Sequence, residues 1–235
     1  EIHPHEGLTG YWYLILPEYE EMVFLLRYLR SGDIFYDVGA NAGAFSVLAL
    51  AQGCSVIGFE PVPKAFQRLQ RNAEINRRSD PIIALNSAVG STRGSLRMTT
   101  GLGTGNHVIQ PGENAPSVEV QVVTLDEIMT QQKPPTFIKI DVEGHELEVL
   151  RGAIETMASE NLHGFLIETF RPHNFGQPKL QALEQLLKNK GFLPYDFDPV
   201  TNQLLRLDRP EAGGNNTFYL RSLSEIEKRL AQASS

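Results

Sequence analysis

Cysteine is nearly absent from this chain of 235 residues: Cys54 stands alone. No intrachain disulfide can form, and no cysteine-based zinc site is available. Basic residues are outnumbered, 21 Lys and Arg against 28 Asp and Glu, which leaves a formal charge of −7. That deficit argues against a general binder of nucleic acid or of anionic membrane, since both require a basic face. No apolar run reaches the ~18 to 20 residues needed to span a bilayer. No basic segment followed by an apolar stretch stands near the start, so no secretory leader is expected and the reading is a cytoplasmic protein. A leading methionine is missing too. The sequence opens at Glu1, and the expectation is a trimmed chain or a domain cut from a longer polypeptide.

What is present has the make-up of a globular protein, 41% hydrophobic and 21% charged, with enough length to bury a sizeable core. Residues 1–235 are expected to form one domain. Residues 1–32 read as a helical lead-in, because Met22, Leu25, Leu26 and Leu29 recur at helical spacing from about Glu18. Strand and helix then alternate. "IFYDVG" is a strand, "AFSVLALAQ" a helix and "SVIGFE" a second strand. A helix entered at Pro63 follows, and "PIIALNSAV" is a third strand. This order predicts a parallel sheet with helices on both faces, a doubly wound α/β fold.

The alternation breaks at residues 90–117, which carry six glycines and no helical period. "SLRMTT" and "VEVQVVTL" are suited to pair as an antiparallel excursion, a flap insertion. A lid and a plain surface loop are both open for it. Beyond it "TFIKIDV" is a strand, "GHELEVLRGAIETMA" one helix, "HGFLIETF" a strand, "LQALEQLLKNKG" a helix and "FLPYDF" a strand. "NNTFYLR" is a last strand, antiparallel to its neighbours. Residues 223–235 read as a polar amphipathic helix running out into a linker.

In an open parallel sheet, ligands bind at the carboxyl ends of the strands. The first such end is "DVGANAG". A dinucleotide fingerprint would place glycines at 39, 41 and 44, but only Gly39 matches, since Asn41 and Ala44 fill the other places. No phosphate-binding loop of the type G-x-x-x-x-G-K-S/T occurs. Asp37 at the strand end repels phosphate and attracts a cation, while Gly39 and Gly43 admit close backbone approach. Glu60 ends the second strand, placed to accept both ribose hydroxyls of a nucleoside, with Pro61 and Val62 flanking an adenine ring. An adenosine, a positive charge and no phosphate together describe S-adenosylmethionine. Taken singly, these features have plainer readings: a tight turn, a helix cap, an exposed strand-end acid.

A second group follows in "IKIDVEGHE". Side chains alternate along a strand, so Lys139 and Asp141 share one side, with Asp141 at the carboxyl end facing the methyl-transfer position. Glu143 and His145 sit in the turn into the next helix. Glu168 ends the next strand, and His173 lies a few residues on. Asp141, Glu168 and a histidine suit either a carboxylate-oriented base or an oxygen-rich site for Mg²⁺ or Mn²⁺, with Asp141, Glu168 and His145 as candidate ligands. The spacing leaves both open. Lys139 reads as a structural partner of Glu143 or Glu168, and Glu146 and Glu148 as solvated or paired helix residues.

Three function classes are consistent with a sheet of this kind. A nicotinamide-dependent oxidoreductase is disfavoured by the failed fingerprint. A non-catalytic module binding an adenosyl ligand needs nothing at Asp141, Glu143 or His145. A methyltransferase uses all of them. An amino-methyltransferase of DNA would carry an N/D-P-P-aromatic motif, and none occurs.

"DVGANAG", "FEPVPKAFQRLQRN", "VTLDEI" and "FIKIDVEGHELEVLRGA" together resemble the FkbM family of S-adenosylmethionine-dependent methyltransferases. The resemblance covers roughly residues 18 to 170. It implies a seven-stranded, Rossmann-like class I methyltransferase fold and O-methylation of a hydroxyl on a natural product or sugar. It also implies that Asp37, Gly39, Asn41 and Gly43 line the methionine part of the cofactor and that Glu60 holds the ribose. Ser87 and Ala88 fall near adenine, and Asp141 faces the cofactor as well as the acceptor. The expected partner is a small-molecule hydroxyl acceptor, either free or tethered to a carrier protein, with neither nucleic acid nor membrane involved.

Overall fold

The computed structural model describes residues 18–76, 82–169, 177–208 and 216–233. Strand β1 (Ile34–Val38) is buried at every position, as a strand covered by helices on both faces must be. Parallel strands β2 (Ser55–Phe59) and β7 (Phe137–Ile140) flank it. The sheet continues outward through β3 (Ile82–Leu85) beside β2 and β8 (Gly164–Glu168) beside β7, both parallel. Strand β11 (Asn216–Leu220) lies antiparallel between β8 and β9 (Leu193–Asp198). The expected seven strands are therefore present, and the last is antiparallel as read. An eighth, β10 (Gln203–Arg206), folds back on β9 at the edge. Its hairpin is closed by Asp198, whose carboxylate accepts from the Val200 amide at 2.8 Å, and by Asn202 at φ 59°.

The order β10-β9-β11-β8-β7-β1-β2-β3 reverses between β1 and β7. The chain runs outward from β1 to β3, then returns to β7 on the other side. Two neighbouring strand tips thus diverge into different loops, which opens a crevice there. One loop is the turn of Gly39 and Gly43, the other the segment from Asp141.

Alternating side chains feed two cores. Tyr36, Ile138 and Phe165 face one, and Phe35, Phe137 and Leu166 face the other. In the second core, helix α1 (Tyr19–Tyr28) inserts Phe24, whose ring centre lies 4.4 Å from that of Phe218 and 5.4 Å from that of Phe197. Helix α2 (Ala44–Ala51) covers the same face with Phe45, Ala49 and Leu50. The segment read as a tail carries helix α8 (Leu223–Gln232), which buries Ile226 and Leu230 and pairs Arg229 with Asp33 at 2.6 Å. Among the described residues no helix is long and apolar enough to cross a membrane.

Three readings of local structure change. "PIIALNSAV" is not one strand. It breaks at Asn86, whose side-chain amide donates to the Glu60 and Pro61 carbonyls at 2.8 and 3.0 Å, and resumes as β4 (Ala88–Val89) in a second sheet. There β6 (Ser117–Val123) pairs in parallel with β4 and antiparallel with β5 (Gly94–Thr99), so the antiparallel excursion is present. Second, "VEVQVVTL" stops at Val123, because Thr124 caps helix α4 (Leu125–Gln131) by accepting from the Glu127 amide at 3.0 Å. Third, "GHELEVLRGAIETMA" is two helices, α5 (Glu146–Arg151) and α6 (Ile154–Ala158). The break falls at Gly152, where a Cβ would stand 2.1 Å from the Gly90 carbonyl oxygen. The Asp126 carboxylate then serves the start of α6, accepting from the Thr156 amide at 2.7 Å.

Candidate active site

A cavity of about 600 Å³ opens at the tips of β1, β2 and β7, within the size range of small-molecule sites. Gly39, Asn41, Gly43, Glu60, Pro61, Val62, Ser87 and Ala88 all line it, and so do Asp141, Glu143, His145 and Glu168. His173 lies outside the described residues. Both groups of candidates therefore meet in one space, although more than a hundred positions separate Gly39 from His145.

The turn after β1 owes its glycines to the protein itself. Gly39 has φ 80°, and a Cβ there would stand 1.8 Å from the Asp141 carbonyl oxygen. Gly43 has φ 86°, and a Cβ there would meet Leu69 Cδ1 at 2.6 Å. The close approach they permit is of β7 and α3 (Pro63–Ile75) to the turn, a purpose the sequence reading had given to the ligand. Asn41, at φ 49°, completes the turn.

Glu60 is the hub of this corner. Its carboxylate accepts from the Asn41 amide at 2.9 Å and the Val62 amide at 2.8 Å. Burial pushes its carboxyl up to about 7, against the two amide bonds that pull it down. A carboxylate has about four lone-pair sites, so acceptor capacity remains on a group that lines the cavity. Ser87 adds a buried hydroxyl with no hydrogen-bond partner among the described residues. An adenosine, rich in donors and acceptors, suits both.

Asp37 stands apart from the other candidates. It is 1% exposed and is absent from the described cavity lining. It accepts from the Ser46 hydroxyl at 2.6 Å behind the turn. Burial raises its pKa, with the Lys139 charge and the Ser46 bond opposing.

Asp141, Glu143 and Glu168 each place a carboxylate oxygen within 4.8 Å of the others. A divalent cation with bonds of ~2.0 to 2.6 Å fits between oxygens so spaced. The grouping takes Glu143 where the sequence reading had His145 as the third ligand. Glu143 reaches the group from a left-handed backbone, φ 54°. His145 lines the cavity beside it and opens α5. Burial lowers its pKa, so the imidazole is neutral at pH 7 and able to take a proton. Its Nε2 stands 3.4 Å from where a Cβ on Gly90 would begin.

Three residues were misjudged or missed. Lys139 pairs with neither Glu143 nor Glu168: its ammonium donates to Asp141 Oδ2 at 2.9 Å. Glu146 is not a solvated helix residue. It is fully buried and accepts from the Val142 and Gly144 amides at 3.3 and 3.1 Å, pinning the loop that carries Glu143. Burial pushes its carboxyl up to about 7. Asn72 of α3 lines the cavity and donates to the Ala42 carbonyl at 2.8 Å. Its one legible signal is Asn76, four residues on along the same helix face. Met98, Gly103, Thr104, Asn106 and Val108, all within residues 90–117, also line the cavity.

This geometry defines a doubly wound α/β protein with a cavity at its switch point, lined by acid groups and a histidine. The methyltransferase FkbM domain matches residues 37–194, and the chain belongs to the FkbM methyltransferase family. It is 29% identical over 148 residues to the hexuronic acid methyltransferase AglP of Haloferax volcanii, across 61% of this chain and 59% of that protein. It is 29% identical over 157 residues to the 31-O-demethyl-FK506 methyltransferase FkbM of Streptomyces tacrolimicus, across 53% of this chain and 60% of that protein. The chain thus spans about six-tenths of the length of these relatives. The crystal structure of methyltransferase FkbM from Methylobacillus flagellatus superposes with a TM-score of 0.55 at 19% identity, over 87% of this chain and 50% of that one. Methyltransferases of this fold use S-adenosylmethionine. The oxidoreductase reading falls with the family assignment.

Proposed function

We propose that the chain is an S-adenosylmethionine-dependent O-methyltransferase acting on a hydroxyl of a small molecule, a sugar or a natural product. One observation carries the reading: a single cavity joins Glu60 and the Gly39–Gly43 turn to Asp141, Glu143, His145 and Glu168. The names of the two relatives support it, one pointing to a hexuronic acid and the other to an oxygen of a natural product.

When bound, S-adenosylmethionine supplies a methyl group already activated on a sulfonium. The chain's own task is alignment and proton removal. Glu60 accepts from the ribose hydroxyls. Pro61, Val62 and Ala88 flank the base, and Ser87 offers its hydroxyl to the ring. Asp141 and Glu168 position the acceptor hydroxyl, and neutral His145 takes its proton at a ring nitrogen. Glu143 orients the imidazole or the acceptor. Flap residues close the space against water.

The spacing of Asp141, Glu143 and Glu168 favours a second version, in which they would hold Mg²⁺ or Mn²⁺, a Lewis acid that would supply activation of the acceptor hydroxyl. The test is methyl transfer from methyl-labelled cofactor to a panel of sugar and macrolide alcohols, with NMR locating the methyl. An O-methyl product that survives chelator supports the base version. Loss with chelator and recovery with Mg²⁺ supports the metal version. Methyl found on nitrogen or carbon would refute both.

A further inference from the structure

Lys139 is the least expected residue on the cavity wall. It belongs to a central strand and lies in register beside Asp37 of β1. Its side chain is 4% exposed. Burying an ammonium is unfavourable unless it is paired. Two features hold it: Asp141 Oδ2 at 2.9 Å, and the Phe45 ring with its centre 4.7 Å from the ammonium. A carboxylate this close favours the ammonium form of the buried side chain.

An ammonium carries three N–H donors, and Asp141 takes one. Lys139 also lines the cavity, and among the described lining residues it is the one with a fixed positive charge. Glu18, Glu60, Asp141, Glu143 and Glu168 supply carboxyl groups to the same wall. The amino-acid end of S-adenosylmethionine is a zwitterion, with an ammonium and a carboxylate on one carbon. A wall of acids satisfies the ammonium and repels the carboxylate. One cation fixed against one acid matches both charges at once, and a charge-assisted bond of this kind is roughly twice as strong as a neutral one. Their mutual pairing preorganises the two groups before any ligand arrives.

We propose that Lys139 binds the α-carboxylate of the cofactor's amino-acid end, and that Asp141, fixed by Lys139, accepts from the ammonium beside it. This rests on the S-adenosylmethionine reading above. The competing arrangement puts the carboxylate on the backbone amides of the turn from Gly39 to Gly43.

The experiment compares two ligands by calorimetry. S-Adenosylhomocysteine carries the amino-acid end, and 5′-methylthioadenosine has the same nucleoside and sulfur without it. Lys139→Met should weaken S-adenosylhomocysteine roughly ten- to a hundred-fold and leave 5′-methylthioadenosine unchanged. Lys139→Arg should restore part of the difference. Equal weakening of both ligands overturns the proposal, because Lys139 would then only prop up the site. No weakening of either also overturns it. If Lys139→Met does not fold, the parent protein crystallised with S-adenosylhomocysteine decides. A carboxylate oxygen within about 3.2 Å of Nζ supports the assignment, and a carboxylate held by the turn amides overturns it. A parent protein that binds neither nucleoside removes the cofactor reading itself, a failure distinct from the others.

Discussion

Replacing Gly39 by alanine tests whether the site depends on the approach of two strands. The added Cβ would stand 1.8 Å from the Asp141 carbonyl oxygen, where real Cβ contacts do not fall under 3.0 Å. Backbone must therefore retreat by more than 1 Å, and neither side is a flexible tip. The φ of 80° adds its own strain, about 1 to 2 kcal/mol for a residue with a Cβ. Overpacking a close contact adds ~1 to 3 kcal/mol. The expected loss is about 2 to 5 kcal/mol, a large part of the ~5 to 15 kcal/mol that holds a domain together. Gly32→Ala is the internal control: Gly32 has φ 90°, and its Cβ would meet nothing within 4 Å. It carries the conformational strain alone. Urea denaturation of both variants separates the contact from the strain. Gly39→Ala should also abolish tight S-adenosylhomocysteine binding, because the turn moves relative to Asp141. The reasoning fails if the two alanines cost the same, or if Gly39→Ala retains parental affinity.

Two further outcomes follow from the site. Burial pushes Glu60 up to about 7, and in the proposed ribose contact the hydroxyls donate to its ionised form, so S-adenosylhomocysteine affinity should rise between pH 6 and 8. The gain is at most about tenfold per unit below the pKa, and Glu60→Gln should flatten the profile; a parental profile in that variant refutes the assignment. Residues 90–117 contribute Met98, Thr104 and Val108 to the cavity wall, so amide exchange there should slow when S-adenosylhomocysteine and an acceptor bind together. Unchanged exchange would leave the segment a surface loop.

Much of the fold was legible because strand and helix leave different periods in the sequence. The buried run of β1 and the Pro63 entry to α3 are local facts, and local spacing reports them. The candidate residues at strand ends were legible for a related reason. Once a parallel order is read, each strand's carboxyl end faces the same edge of the sheet, so Glu60, Asp141 and Glu168 fall together without any further information. Long-range contacts leave no such trace. Nothing near Gly152 tells that the Gly90 carbonyl lies where its side chain would be, so one helix was read where two form. A carboxylate at the start of a helix looks the same in sequence whether it faces water or a loop. Only packing made Glu146 the buried clasp of the Val142–Gly144 turn.

By itself, the sequence determined the alternation of strand and helix and the acids at the strand tips, because each depends on residue type and spacing along one segment. Tertiary structure decided the rest. It chose Asp141 as the partner of Lys139, drew Glu143 into the acid group in place of His145, buried Asp37 outside the described cavity lining and brought the flap to the cavity. Each of these depends on which side chains from separate strands and loops are close enough to share charge or volume. That is fixed by the register of β1 against β7 and by the glycines that let their loops touch.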